Sequence, residues 1–234
     1  MKFAEPGETI VKLGKGKGEP PLIVLHGGGG LAFDFRSYPE KFRTAVWALQ
    51  VTPDAPMTTL KDLVAFYRRK IKEKQPKGPY RFAGYSSSSI LAFYMAKEFE
   101  RNDDVISQLV MLDHLPSLFL HQIPPEGPNR REEFIRAGIE VIFERERWFA
   151  YTSTCDEYSP DIEQWMESMK DVRAPIMVYV TEKGAKRIPI PEEEREDLGA
   201  SRWLPGARVV RVPGGHMNFL LHDLVIGGLQ EGYL

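Results

Sequence analysis

The chain has 234 residues, 31 Lys and Arg against 33 Asp and Glu, and a formal net charge of −2. Its 42% apolar and 27% charged composition is that of a globular chain, and the near balance of charge excludes a nucleic-acid binder that works by neutralising phosphates. The single Cys155 excludes an intrachain disulfide and a multi-cysteine metal site; with no signal-like N-terminus and no apolar run near the roughly 20 residues of a spanning helix, a cytoplasmic protein with no membrane partner is expected.

Short apolar runs alternate with amphipathic ones, which predicts an α/β sheet in a single domain over 1–234. Thr9 to Leu13 reads as an edge strand, followed by a glycine–lysine turn at 14–18. Leu22 to Leu25 is a short apolar strand that runs into His26 and four glycines, Gly27 to Gly30. Ala45 to Leu49 is the next strand. From Thr59 to Lys74, Leu60, Leu63, Val64, Tyr67 and Ile71 share one helical face, with Thr58 or Thr59 placed to cap it. Tyr80 to Tyr85 is a strand, and Ser88 to Phe99 a helix with Ile90, Leu91, Tyr94 and Met95 as its buried stripe. Val105 to Leu112, Ile176 to Val180 and Val209 to Val212 complete the strands, and a helix over Leu220 to Leu229 closes the chain.

The stretch from His114 to Asp171 breaks this rhythm. Its helical pattern is interrupted at Pro116, Pro124, Pro125, Pro128 and Pro160, and it is longer than a crossover helix requires. It reads as a helical lid inserted at about 114–171 above a core of about 1–113 and 172–234. Most of its aromatic residues, Phe119, Trp148 and Trp165 among them, are read as packing contacts, with the remainder left to line an acyl pocket.

The run Arg81-Phe82-Ala83-Gly84-Tyr85-Ser86-Ser87-Ser88-Ser89 takes a strand into a helix through small residues. It is close to the G-x-S-x-G nucleophile elbow, in which the serine occupies a strained turn and its neighbours must let strand and helix approach. Ser86 is the nucleophile of this reading, and Ser88 stands where the second glycine would be. A serine needs a base. Of the five histidines, His216 lies just past the last strand, in Val212-Pro213-Gly214-Gly215-His216, where a loop can reach the elbow. His26, His114, His121 and His222 read as structural. Two acids end strands, Asp113 and Glu182, and spacing does not choose between them as the partner of the base. Backbone amides for an oxyanion come from the Gly27 to Gly30 loop and from Ser87, directly after the nucleophile. No paired His, Cys or carboxylate spacing points to a metal.

These residues resemble the thioesterase domains of α/β-hydrolase fold that release products from fatty-acid synthases, polyketide synthases and nonribosomal peptide synthetases, the animal fatty-acid synthase domain above all. The likeness rests on Pro21 to His26, Ala48-Leu49-Gln50, the long run from Gln75 through Gly78-Pro79-Tyr80-Arg81 to Ser86, and Met111-Leu112-Asp113, and it returns at Gly214-Gly215-His216. The resemblance implies a mostly parallel sheet flanked by helices, a triad of Ser86, Asp113 and His216, and an oxyanion amide at Gly28. It also implies an acyl substrate carried as a thioester on the phosphopantetheine of an acyl or peptidyl carrier domain, with no separate cofactor. Hydrolysis, cyclisation and carbon–carbon condensation are all outcomes of that chemistry. A catalytically silent relative that binds acyl groups or proteins is the reading from another class.

Overall fold

A computed structural model describes residues 7–13, 16, 20–56, 60–118, 168–183 and 190–231. The turn at 14–18 apart from Gly16, the threonine caps and nearly all of the expected lid, with its aromatic residues, lie outside the described residues.

Among the described residues, seven strands form one sheet: β1 (Ile10–Leu13), β2 (Leu22–Leu25), β3 (Val46–Leu49), β4 (Tyr80–Tyr85), β5 (Ile106–Leu112), β6 (Ile176–Thr181) and β7 (Arg208–Val212). Their spatial order is β1-β3-β2-β4-β5-β6-β7. Only β1 runs antiparallel to its neighbour. Covered on both faces, the inner strands are buried at every position: Leu22 to Leu25 is a continuous apolar run, and Tyr80 to Tyr85 is interrupted only by Arg81, whose Nε donates to Oε1 of Gln108 at 3.0 Å. Successive side chains alternate between the faces. Ile23, Leu25 and Phe82 meet the helices α1 (Leu60–Lys74) and α2 (Ser89–Arg101) through Leu63, Tyr67, Ile71, Ile90 and Phe93. Leu22, Val24, Ala83 and Val110 face Phe35, Tyr38 and the last helix, through Val225 and Leu229.

The elements match the sequence pattern to within a few residues. The five apolar residues assigned to the face of α1 are all buried, and Phe66 joins them. In α2, Phe93 is fully buried and Tyr94 half-buried, because the helix packs between the sheet and α1 and has no wide polar face. The closing helix starts at Asp223 rather than Leu220; Phe219 and Leu220 are buried in the turn before it. An acid in its first turn complements the helix dipole. A short helix, α3 (Ala200–Trp203), precedes β7, so the closing helix is α4 (Asp223–Glu231).

Strand order and register place the site. From β2 the chain goes to β3 on one side, then crosses to β4 on the other, which opens a crevice at the carboxyl ends of β2 and β4. Leu25 pairs with Gly84, so the glycine loop and the serine turn leave the sheet side by side. Tyr85 pairs with Leu112, which makes Ser86 and Asp113 the next residues on adjacent strands. Thr181 pairs with Val212, so the loop carrying His216 leaves at the same end.

Candidate active site

Ser86 follows β4 at φ 54°, a left-handed conformation that costs a residue with a side chain about 1–3 kcal/mol. The turn closes because Gly84 has no side chain: a Cβ there would lie 2.5 Å from the Ser88 carbonyl oxygen and 2.8 Å from the Ala92 Cβ. Ser88 differs. Its φ is −77°, which any residue adopts, so this position makes no conformational demand for glycine. Its side chain is fully buried, and the hydroxyl lies 3.3 Å from Nδ1 of His26.

Asp113 repeats the geometry of Ser86 on the neighbouring strand, with φ 56°. The two turned residues point at one imidazole. The Ser86 hydroxyl donates to Nε2 of His216 at 2.9 Å, and Nδ1 of His216 donates to Oδ2 of Asp113 at 2.7 Å. Facing a carboxylate, Nδ1 carries the proton, which leaves Nε2 as the acceptor. Asp113 is 2% exposed, and the His216 side chain 29%. Thr181 holds the same carboxylate with its amide at 2.6 Å and its hydroxyl at 2.9 Å. The geometry thus selects between the two acids: Glu182 is exposed and makes no hydrogen bond to the imidazole.

In the glycine loop, the Gly27 amide donates to Oδ2 of Asp34 at 3.3 Å and the Gly30 amide to the Gly27 carbonyl at 3.0 Å. Those two amides are engaged. The amides of Gly28 and Gly29 have no acceptor among the described residues, and Ser87 sits in the first turn after β4, where helix amides lack an intrahelical acceptor. The amides of Gly28, Gly29 and Ser87 thus stand without an acceptor among the described residues, in the two loops that leave β2 and β4 side by side. The Ser87 hydroxyl is buried without a partner among the described residues.

The other described histidines, His26, His114 and His222, do not join this centre. His26 is fully buried; its Nδ1 donates to the Gly27 carbonyl at 2.8 Å, and Nε2 accepts from the Tyr67 hydroxyl at 3.2 Å. Burial pushes its pKa down to about 4, against a smaller upward pull from the Gly27 carbonyl, so it is neutral at ordinary pH. His114 is buried with Nδ1 2.8 Å from the Ser89 hydroxyl. His222 accepts the Leu224 amide at 3.2 Å on the surface, and His121 lies outside the described residues. No group of three or more His, Cys, Asp or Glu able to hold a metal occurs among the described residues. No helix among them is long and apolar enough to cross a membrane.

Three contributors were missed by sequence reasoning: Thr181, Asp34 and Tyr85. The Tyr85 hydroxyl donates to the His216 carbonyl at 2.8 Å. The only sequence signal for Thr181 is its place at the end of a strand beside Asp113; Asp34 and Tyr85 carry none.

A seven-stranded, mostly parallel sheet with a serine on a sharp strand-to-helix turn, joined to a histidine and a buried acid, is an α/β-hydrolase fold. A family model described as "Thioesterase domain" matches residues 20–225, and the chain belongs to that family. It is similar to the highly reducing polyketide synthase stpks1 of Strobilurus tenacellus, with 48% identity over 119 residues, covering 51% of this chain and 4% of that protein. It is also similar to the aspulvinone E synthetase melA of Aspergillus terreus, with 38% identity over 92 residues, covering 37% of this chain and 10% of that one. The chain therefore spans a small fraction of these relatives' length. The thioesterase domain of NocB, solved in covalent complex with a fluorophosphonate nocardicin G analogue, has a similar fold: TM-score 0.67 at 21% identity, covering 96% of this chain and 97% of that one.

Proposed function

We propose that the domain releases an acyl product from the phosphopantetheine thioester of an acyl or peptidyl carrier domain, through an acyl-serine intermediate. The reading is carried by one observation, the unbroken hydrogen-bond chain from Ser86 through His216 to Asp113. Ser86 Oγ attacks the thioester carbonyl while His216 Nε2 takes its proton, and Asp113 stabilises the imidazolium. The carbonyl oxygen becomes an oxyanion received by the amides of Gly28 and Ser87. As the intermediate collapses, His216 gives its proton to the departing pantetheine thiolate. Water, deprotonated by His216, then attacks the acyl-serine and frees the acid; a hydroxyl or amine within the acyl chain attacking instead gives a ring. These steps draw on no cofactor beyond the partner's phosphopantetheine arm.

The similarity to melA favours a second reading. In that reading a carbon nucleophile of another acyl unit, losing its proton to His216, attacks the acyl-serine in place of water, and a carbon–carbon bond forms as the Ser86 oxygen leaves.

Two measurements test these readings. A fluorophosphonate probe should modify Ser86 stoichiometrically and leave Ser86→Ala unmodified; absence of labelling in the wild-type domain would make this a silent binding relative. Mass spectrometry of the products from an acyl-pantetheine thioester should then give free acid or a ring, whereas a condensed dimer would establish the second reading.

A further inference from the structure

We propose that Tyr85 is a positioning residue for His216, holding the backbone of the histidine loop with its hydroxyl and the plane of the imidazole with its ring. The inference rests on the reading of Ser86 and His216 as nucleophile and base. Two hydrogen bonds pin the two nitrogens of His216. They leave rotation about the line through those nitrogens free, and they do not fix the loop. Tyr85 acts on both, closer to the imidazole than the Phe219 ring, whose centroid stacks at 6.5 Å, and beside the Lys183 amide, which holds the Gly214 carbonyl at 3.1 Å. Its ring stacks on the imidazole with centroids 5.1 Å apart and planes 22° apart. Its hydroxyl donates to the His216 carbonyl at 2.8 Å.

Tyr85 is itself rigidly held. It is 4% exposed, as the last residue of the central strand β4. Phe35 and Phe219 lie at 6.2 and 6.1 Å from its ring. A Cβ on Gly27 would come within 2.9 Å of its Cδ1, so the glycine loop also rests against it. The hydroxyl remains a donor at all working pH, because burial first, and then the negative charges of Asp34 and Asp113, hold its proton. Directly preceding Ser86, this side chain ties the histidine loop to the strand that carries the serine.

The test compares Tyr85→Phe and Tyr85→Leu by the kinetics of fluorophosphonate labelling at Ser86, separating probe affinity from the maximal labelling rate. Tyr85→Phe keeps the stack and loses one hydrogen bond, so its maximal rate should fall about three- to tenfold with affinity unchanged. Tyr85→Leu loses both constraints, and its rate should fall about 100-fold. Thermal unfolding is followed in parallel, and Tyr85→Phe decides the matter should the leucine variant fail to fold. A wild-type maximal rate in the phenylalanine variant, or a loss confined to probe affinity, overturns the proposal while the serine reading stands. A wild-type domain that does not label at Ser86 overturns both.

Discussion

Thr181 grips Asp113 at both carboxylate oxygens, through its amide to Oδ1 at 2.6 Å and its hydroxyl to Oδ2 at 2.9 Å. Oδ2 also accepts from His216 at 2.7 Å, so a carboxylate 2% exposed is met by three donors. A buried charge is tolerated only when its lone pairs are used in this way. Thr181→Val keeps the shape and the amide but removes one donor to a charged acceptor. It should lower stability by about 1.5–3 kcal/mol and slow labelling of Ser86. Urea unfolding and probe kinetics measure both, and a variant equal to wild type in each would show the hydroxyl to be idle.

His26 makes stability depend on pH. Its folded pKa, about 4, lies below the ordinary 6.5, so between these values the unfolded chain binds a proton that the folded chain does not. The contribution is complete above about pH 6.5 and is lost as pH falls towards 4, with about 2 kcal/mol gone by pH 5. Urea unfolding of the wild type at pH 7.5 and pH 5 should reveal this loss. In His26→Asn the difference between the two pH values should shrink by about that amount. An equal difference in both proteins would assign the acid sensitivity elsewhere.

Gly84 is the position where the elbow admits no side chain. In Gly84→Ala the new methyl would meet backbone at 2.5 Å from the Ser88 carbonyl and 2.8 Å from the Ser89 Cα, atoms that move only if strand and helix separate. The expected cost is about 3 kcal/mol or more, together with loss of probe labelling. A soluble, fully labelled alanine variant would refute the close-approach argument.

Ser88 is the converse case. With φ −77° and its hydroxyl against His26, it strains nothing. Ser88→Gly should therefore lose about 1 kcal/mol of stability, from the freed backbone and the missing hydroxyl, with no gain in labelling rate. Faster labelling would show that serine impairs the turn.

The fold was legible because parallel strands buried on both faces leave an uninterrupted apolar signature, as at Leu22 to Leu25, and because α1 repeats its apolar residues at helical spacing. Ser86, Asp113 and His216 were legible as residues following strand ends. The choice between Asp113 and Glu182 was not legible from spacing: it depends on register, since Thr181, beside Glu182, pairs with Val212 and bonds the Asp113 carboxylate. Tyr85 was hidden for a similar reason. It reads as an ordinary apolar strand residue, and its partner lies 131 residues away in the chain. Asp34 sits in the 3-10 turn Ala32–Phe35, too short to carry a periodic pattern, so nothing in the sequence linked it to Gly27.

The matched kinks at Ser86 and Asp113 come directly after the paired residues Tyr85 and Leu112. The spacing of Ser86 and Asp113 is thus inherited from neighbouring strands of the sheet, about 4.8 Å apart, and owes nothing to the chain between β5 and β6. Insertions or deletions between Asp113 and β6 therefore leave that spacing unchanged, because no residue of the segment lies between the two strand ends that set it.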